Sequence, residues 1–238
     1  MIRISEIYQA TQGEGILLGE RMPFVRVAGC NLSCSWCDSR YTWEPNYAYI
    51  EMTVDQVVDA TLTHASGCNW VSITGGEPTL YPDLGGVTRE LIAKGYNIIV
   101  ETNGLACPQW LLNDGILVSC SPKLPNSGQD SPLHRQKVRA TVDKLLHRPD
   151  ESMVQFKFVI AGPEDLIHLL PYCEDVGIPT HPDMGEPFVA LYLQPDGYVQ
   201  PIDQYLEALA WLQDHAPPFF RVTPQIHRLI HGPDKKGV

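Results

Sequence analysis

The feature that most constrains the fold of this chain is a series of short β-rich segments, several apolar on both faces, separated by helix-length runs. Residues 24–28, 70–74, 96–101, 116–120, 154–160, 188–193 and 219–222 are rich in Val, Ile, Phe and Tyr, and Gly or Pro often borders them. A strand apolar on both faces belongs in a parallel sheet covered by helices. The intervening runs supply those helices. Thr53 reads as the N-cap of one, with Val57, Ala60 and Leu62 on its apolar side. Residues 84–94 form another, ended by Gly95; residues 164–176 follow Pro163 and stop before Gly177; residues 202–215 form a last long helix. Residues 122–150 read as a loop followed by a polar helix. Alternating strands and helices imply right-handed crossovers and an α/β parallel sheet or partial barrel. Functional groups in such folds gather at the carboxyl ends of the strands.

Composition narrows the function classes. At 238 residues, 44% apolar and 19% charged, the chain is globular, and residues 1–238 are expected to form a single domain with no clear linker. A net charge of −11 with no basic stripe argues against a nucleic-acid partner. No apolar run reaches the roughly 18 residues of a membrane-spanning helix, so no membrane association is expected. The N-terminus lacks the apolar stretch of a signal peptide, so a cytoplasmic location is expected. Three of the seven cysteines fall within eight residues. In a reducing compartment such clustering points to metal or redox chemistry rather than disulfides.

That cluster is Cys30-Asn-Leu-Ser-Cys34-Ser-Trp-Cys37, directly after the 24–28 strand and Gly29. Iron–sulfur clusters normally take four thiolates, so three local ligands leave one iron open to an exchangeable partner. A structural zinc site or an electron-carrier cluster would want a fourth ligand, and Cys68, Cys107, Cys120 and Cys173 are scattered singles. Cys120, inside a strand pattern, reads as a small buried hydrophobe.

Cys-x3-Cys-x2-Cys with Trp36 before the third cysteine resembles the signature of radical S-adenosylmethionine enzymes. The resemblance implies a partial (β/α) barrel of about six parallel strands. It also implies a [4Fe–4S] cluster on Cys30, Cys34 and Cys37 whose open iron binds S-adenosylmethionine, and a 5′-deoxyadenosyl radical formed by one-electron reductive cleavage. Polar loops end the other strands: Thr74-Gly75-Gly76-Glu77-Pro78, Glu101-Thr102-Asn103-Gly104, Ser121-Pro122-Lys123 and Gln194-Pro195-Asp196-Gly197. Each alone is ordinary turn chemistry; at successive strand ends they converge on one mouth.

Upstream stands Gln12-Gly13-Glu14-Gly15, a glycine-rich turn after a short strand, and then Arg26 within an apolar strand. A buried guanidinium needs an acidic partner, either a ligand or a protein carboxylate such as Glu14. Together with Trp-Cys-Asp and the late Gln225-Ile-His227-Arg228, these segments resemble the 7-carboxy-7-deazaguanine synthase family from residue 6 to residue 228. The resemblance implies a carbon–nitrogen lyase of queuosine and 7-deazapurine biosynthesis. Its reaction contracts 6-carboxy-5,6,7,8-tetrahydropterin to 7-carboxy-7-deazaguanine with loss of ammonia, after hydrogen abstraction from C6. By position, Thr11, Gln12, Gly13, Glu14, Arg26 and Thr74 would line the substrate. Trp36, Cys37, Asp38, Gly76, Ser121, Pro122, Lys123, Gln194, Pro195, Asp196 and Gly197 would contact S-adenosylmethionine. The family also uses Mg²⁺, held by the hydroxyl residue after Cys-Asp; here that is Ser39, where threonine is commoner, and the oxygen is retained. Arg228 replaces the usual lysine, and the tail 231–238 departs from the family's shorter ending, so its carboxylate is given no substrate role. A homodimer and an external electron donor such as flavodoxin or ferredoxin are also implied. Two other functions fit the cysteine triplet: an activase installing a glycyl radical on a partner protein, and a non-catalytic iron–sulfur electron carrier.

Overall fold

The computed structural model describes residues 1–148, 153–180, 189–197 and 201–232. Its nine strands form one sheet in the order β3-β1-β2-β4-β5-β6-β7-β8-β9. These are β1 (Ile2–Thr11), β2 (Arg21–Val27), β3 (Ile50–Met52), β4 (Trp70–Gly75), β5 (Asn97–Thr102), β6 (Ile116–Cys120), β7 (Val154–Ile160), β8 (Val189–Pro195) and β9 (Phe220–Val222). From β2 through β9 every pairing is parallel, giving seven parallel strands where about six were expected. β1 and β3 add an antiparallel edge on the β2 side. The ten-residue β1 is longer than the short strand read before Gln12, and β3 has too few residues to show a period. The predicted start of the 188–193 strand, Phe188, and tail residues 233–238 lie outside the described residues.

The helices are α1 (Val54–Leu62), α2 (Leu84–Ala93), α3 (Pro132–Leu146), α4 (Pro163–Val176), α5 (Ile202–His215) and α6 (Ile226–His231). Thr53 caps α1 as expected: its hydroxyl accepts from Gln56 N at 3.3 Å, and Gln56 Oε1 accepts from Thr53 N at 2.9 Å. The buried stripe of α1 is Val57, Val58 and Thr61, with Ala60 and Leu62 only half-buried. Thr61 tolerates burial because its hydroxyl donates to the Val57 carbonyl at 2.7 Å. Gly95 and Gly177 follow α2 and α4 at φ +91° and +79°, the left-handed cap that glycine adopts without a Cβ clash.

Strand periodicity sorts the two faces of the sheet. Val25, Val27, Val71, Ile73, Ile98, Val100, Val118, Phe156, Phe158, Leu191 and Leu193 share one apolar cluster with helix residues such as Leu91, Val142 and Leu169. Their neighbours on each strand point inward, away from the helices. That inner face changes character along the strands. Toward the amino ends Met22, Phe24, Ile99 and Leu117 close it with a small apolar floor. Toward the carboxyl ends Arg26, Thr74, Glu101, Ser119, Lys157 and Gln194 make it polar. β7, Val-Gln-Phe-Lys-Phe-Val-Ile, shows the rule most sharply: all seven residues are buried, yet Gln155 and Lys157 face inward. A buried lysine in that register demands a partner, and the partner marks the site.

Candidate active site

The polar inner face opens into a cleft at the carboxyl ends of the strands. The loop after β2 forms one wall. Cys30, Cys34 and Cys37 all line the cleft, and none forms a disulfide. Burial pushes the Cys30 thiol up to about 11, so a bound metal would have to displace its proton. Among the described residues, the one group of three Cys, His, Asp or Glu whose ligand atoms converge within 4.8 Å is Glu14, Asp38 and His227. The three sulfurs are not such a group. Cys68, Cys107, Cys120 and Cys173 do not line the cleft to supply a fourth thiolate. Cys120 is fully buried on the helix-facing side of β6, as its sequence context indicated.

Backbone packing fixes this loop at its base. A Cβ on Gly76 would lie 1.9 Å from the Gly29 carbonyl oxygen, and one on Gly75, at φ +120°, 2.2 Å from that of Val27. The paired glycines thus let the β4 end press against the start of the cysteine loop. Gly76 N and Glu77 N donate to Val27 O and Gly29 O at 3.0 and 2.9 Å. Glu77 is buried and fully engaged. Its carboxylate accepts from Thr79 N, Thr79 Oγ1, Thr102 Oγ1 and Asn103 N at 2.7–3.0 Å. Asn103 Nδ2 in turn donates to Asn31 Oδ1 in the cysteine loop at 2.7 Å. On the far side Trp36 Nε1 donates to Asn126 Oδ1 at 3.1 Å, and Asn126 Nδ2 donates to Val159 O and Asp165 Oδ2. Lys123 Nζ sits 5.0 Å from the Trp36 ring centroid and donates to Ser121 Oγ at 3.0 Å.

The deep end of the cleft is built on two charge pairs, one part-buried and one buried. Arg26 pairs with Glu6 at 2.9 Å and donates to Tyr8 Oη at 2.5 Å, both from the neighbouring β1. The alternative partner, Glu14, is therefore excluded: β1 pairs Glu6 directly opposite Arg26. Glu14 instead accepts from Lys157 Nζ, and its other oxygen accepts from Gln225 Nε2 at 2.7 Å. Burial alone would raise the Glu14 carboxyl, but Lys157, His227 and the two hydrogen bonds hold it well below the usual range, at about 2. Burial likewise opposes charge on Lys157, and Glu14 and Glu101 overcome it, so the ammonium is retained. That ammonium already supplies the positive charge a cation would bring to the Glu14, Asp38 and His227 group. Gln12 joins the network, accepting from Glu14 N at 3.2 Å and donating to Glu101 Oε1 at 3.2 Å, while Thr74 Oγ1 donates to Glu101 Oε2 at 2.8 Å.

Of the residues expected from sequence, Thr11, Gln12, Gly13, Glu14, Arg26, Cys30, Cys34, Trp36, Cys37, Asp38, Ser39, Thr74, Gly76, Ser121, Lys123, Gln194 and Gly197 all line this cleft. Pro122, Pro195 and Asp196 stand in the same loops but outside the lining. Sequence reasoning did not single out Lys157, Ser119, Phe24, Tyr41 or Trp43, which also line it. Lys157 carried the same signal as Arg26, a cation inside an apolar strand. His227 reaches the cleft because Ile226 N donates to Gly13 O at 3.0 Å, docking α6 on the Gln12–Gly15 turn.

Residues 24–113 match the Radical SAM superfamily. A 7-carboxy-7-deazaguanine synthase of Halobacterium salinarum is 31% identical over 94% of this chain and 88% of its own length. One from Pyrobaculum aerophilum is 32% identical over 97% and 95%, and one from Bacillus subtilis 31% identical over 100% and 98%. The crystal structure of QueE from Escherichia coli superposes with a TM-score of 0.63 at 22% identity, covering 94% of this chain and 93% of that one, and shares the fold. With relatives this similar over nearly their whole length, the chain is a member of the 7-carboxy-7-deazaguanine synthase family.

Proposed function

We propose that the chain is a radical S-adenosylmethionine lyase that converts 6-carboxy-5,6,7,8-tetrahydropterin into 7-carboxy-7-deazaguanine and ammonia. The observation that carries this reading is one cleft bounded by three free cysteines on one side and the Glu14–Lys157 and Arg26–Glu6 pairs on the other. The sheet running from Ile2 to Val222 supports treating residues 1–238 as a single core. Cys30, Cys34 and Cys37 would hold a [4Fe–4S] cluster. When bound, that cluster and S-adenosylmethionine supply a 5′-deoxyadenosyl radical, given one electron from a donor such as flavodoxin or ferredoxin.

The remaining residues bind and orient. Trp36, Asp38, Gly76, Ser121 and Lys123, with Gln194 and Gly197 opposite, would hold S-adenosylmethionine near the cysteine loop. Pro122, Pro195 and Asp196 would shape the backbone of those loops. Thr11, Gln12, Gly13, Glu14, Arg26 and Thr74 would hold the pterin. Glu14 stays ionised at neutral pH and, with about four lone-pair sites, can accept from the ring's guanidine-like edge beyond its bonds to Lys157 and Gln225. Arg26 retains its charge and has donors to spare for a substrate carboxylate. Mg²⁺ would be held by Ser39, whose hydroxyl lines the cleft beside Asp38. No helix among the described residues is long and apolar enough to cross a membrane, in keeping with a cytoplasmic enzyme; a homodimer completes the reading.

The test is anaerobic reconstitution with iron, sulfide, reductant, S-adenosylmethionine, Mg²⁺ and carboxytetrahydropterin. The deazaguanine product is expected. Competent S-adenosylmethionine cleavage without that product would overturn the lyase assignment and leave an activase. Cys34→Ala is expected to lose both bound iron and turnover.

A further inference from the structure

We propose that Trp43 tunes the reduction potential of the cluster by donating a hydrogen bond from its indole nitrogen to the sulfur of Cys37. The proposal rests on the cluster reading above. Trp43 Nε1 lies 3.2 Å from Cys37 Sγ, and both residues line the cleft. The pairing is built into the local backbone. Residues Arg40–Thr42 form a single 3₁₀ turn whose capping bond runs from Trp43 N to Arg40 O. Thr42 is fully buried, and both its N and its Oγ1 donate to Ser39 O, at 2.9 and 2.8 Å. Its carbonyl accepts from Gly29 N at 2.7 Å, which ties the turn to the start of the cysteine loop. The turn that carries the indole is therefore tied to the start of the cysteine loop.

Indole is a donor only, so its N–H pointed at a sulfur has one role available. A thiolate bound to iron keeps lone pairs that accept such a bond. Reducing a cluster by one electron adds negative charge that spreads onto its sulfurs, so a donated N–H stabilises the reduced form more than the oxidised one. The donor thus eases delivery of the electron that the radical chemistry requires. Among the described residues, Cys37 is also the cluster cysteine with a hydroxyl close by, Ser39 Oγ at 3.7 Å.

Trp43→Phe keeps an aromatic ring in place and removes the donor. The wild type and variant would be reconstituted, their iron and sulfide measured, and the cluster titrated by EPR against a mediated potential. At equal cluster content, the variant's midpoint is expected to move negative by a shift of about tenfold in the reduction equilibrium, about 59 mV for one electron. Proton ENDOR of the reduced wild-type cluster should also show an exchangeable coupling that disappears in Trp43→Phe. An unchanged midpoint with an intact cluster would overturn the proposal. If Phe loosens the turn and lowers cluster content, site-specific replacement of Trp43 by isosteric benzothienylalanine separates shape from donor: a midpoint unchanged there refutes the role, and a negative shift supports it. Failure of the wild type to assemble any [4Fe–4S] cluster would instead refute the reading beneath it.

Discussion

Breaking the buried Glu14–Lys157 pair should destabilise this fold by about 3–5 kcal/mol. Both side chains are about nine-tenths buried, and each is the other's main counter-charge. Lys157→Met leaves the buried Glu14 carboxylate with only the Gln225 hydrogen bond and the nearby His227 to offset its charge. Removing one member of a buried pair typically costs about 3–5 kcal/mol, because the other charge is stranded. The Glu14 carboxyl, depressed against its burial by Lys157 together with His227 and Gln225, points the same way. A carboxyl held at about 2 against its ordinary 4.5 is worth about 3 kcal/mol at neutral pH, at about 1.36 kcal/mol per pH unit. For a chain of this size that lowers Tm by about 6–20 °C. The assay is anaerobic urea and thermal unfolding of wild type, Glu14→Gln, Lys157→Met and the double variant. The double should be well short of additive, since no charge is left unpaired. The pH dependence has a definite sign. Glu14 is depressed, so its contribution is complete above about pH 4.5 and is lost as pH falls toward 2. Lys157 is raised, so its contribution is complete below its ordinary 10.5 and is lost only in more alkaline solution. A cost below about 1 kcal/mol for Lys157→Met, or full additivity in the double, would refute the argument.

Three further changes test other parts of the site. Gly76→Ala should destabilise by more than about 2 kcal/mol and lower iron content together, since its Cβ meets the Gly29 carbonyl at 1.9 Å; normal iron incorporation would separate the glycine pair from the cysteine loop. Arg26→Ala should leave uncoupled S-adenosylmethionine cleavage largely intact and abolish product; equal loss of both would make Arg26 structural, acting through Glu6 and Tyr8. Ser39→Ala should weaken any stimulation of product formation by Mg²⁺ at least tenfold in the metal concentration required, measured by titration of the rate; an unchanged titration would place the ion elsewhere.

The longer parallel strands and five of the helices were legible because each is long enough to show its own pattern, with Thr53, Gly95 and Gly177 punctuating three of the helices. The cysteine loop was legible because its three ligands are local in sequence. Lys157 was passed over although it interrupts an apolar strand as Arg26 does, because no neighbouring motif drew attention to it. Trp43 was passed over because an aromatic in a loop has no periodic signature, and its role depends on a turn bringing it back to Cys37.

What the sequence determined by itself was therefore everything set by near neighbours: the α/β alternation, the open-valence cysteine triplet, and polar loops at strand ends. Arg26 was visible as a charge in need of a partner, with Glu14 as one candidate. Which partner each takes was decided by tertiary structure alone. Antiparallel pairing of β1 with β2 sets Glu6 against Arg26, and the parallel register from β2 to β7 carries Lys157 across the barrel to Glu14. Buried charges are satisfied by whatever the sheet places within reach, and that placement depends on the order of strands rather than on any residue's neighbours in the chain.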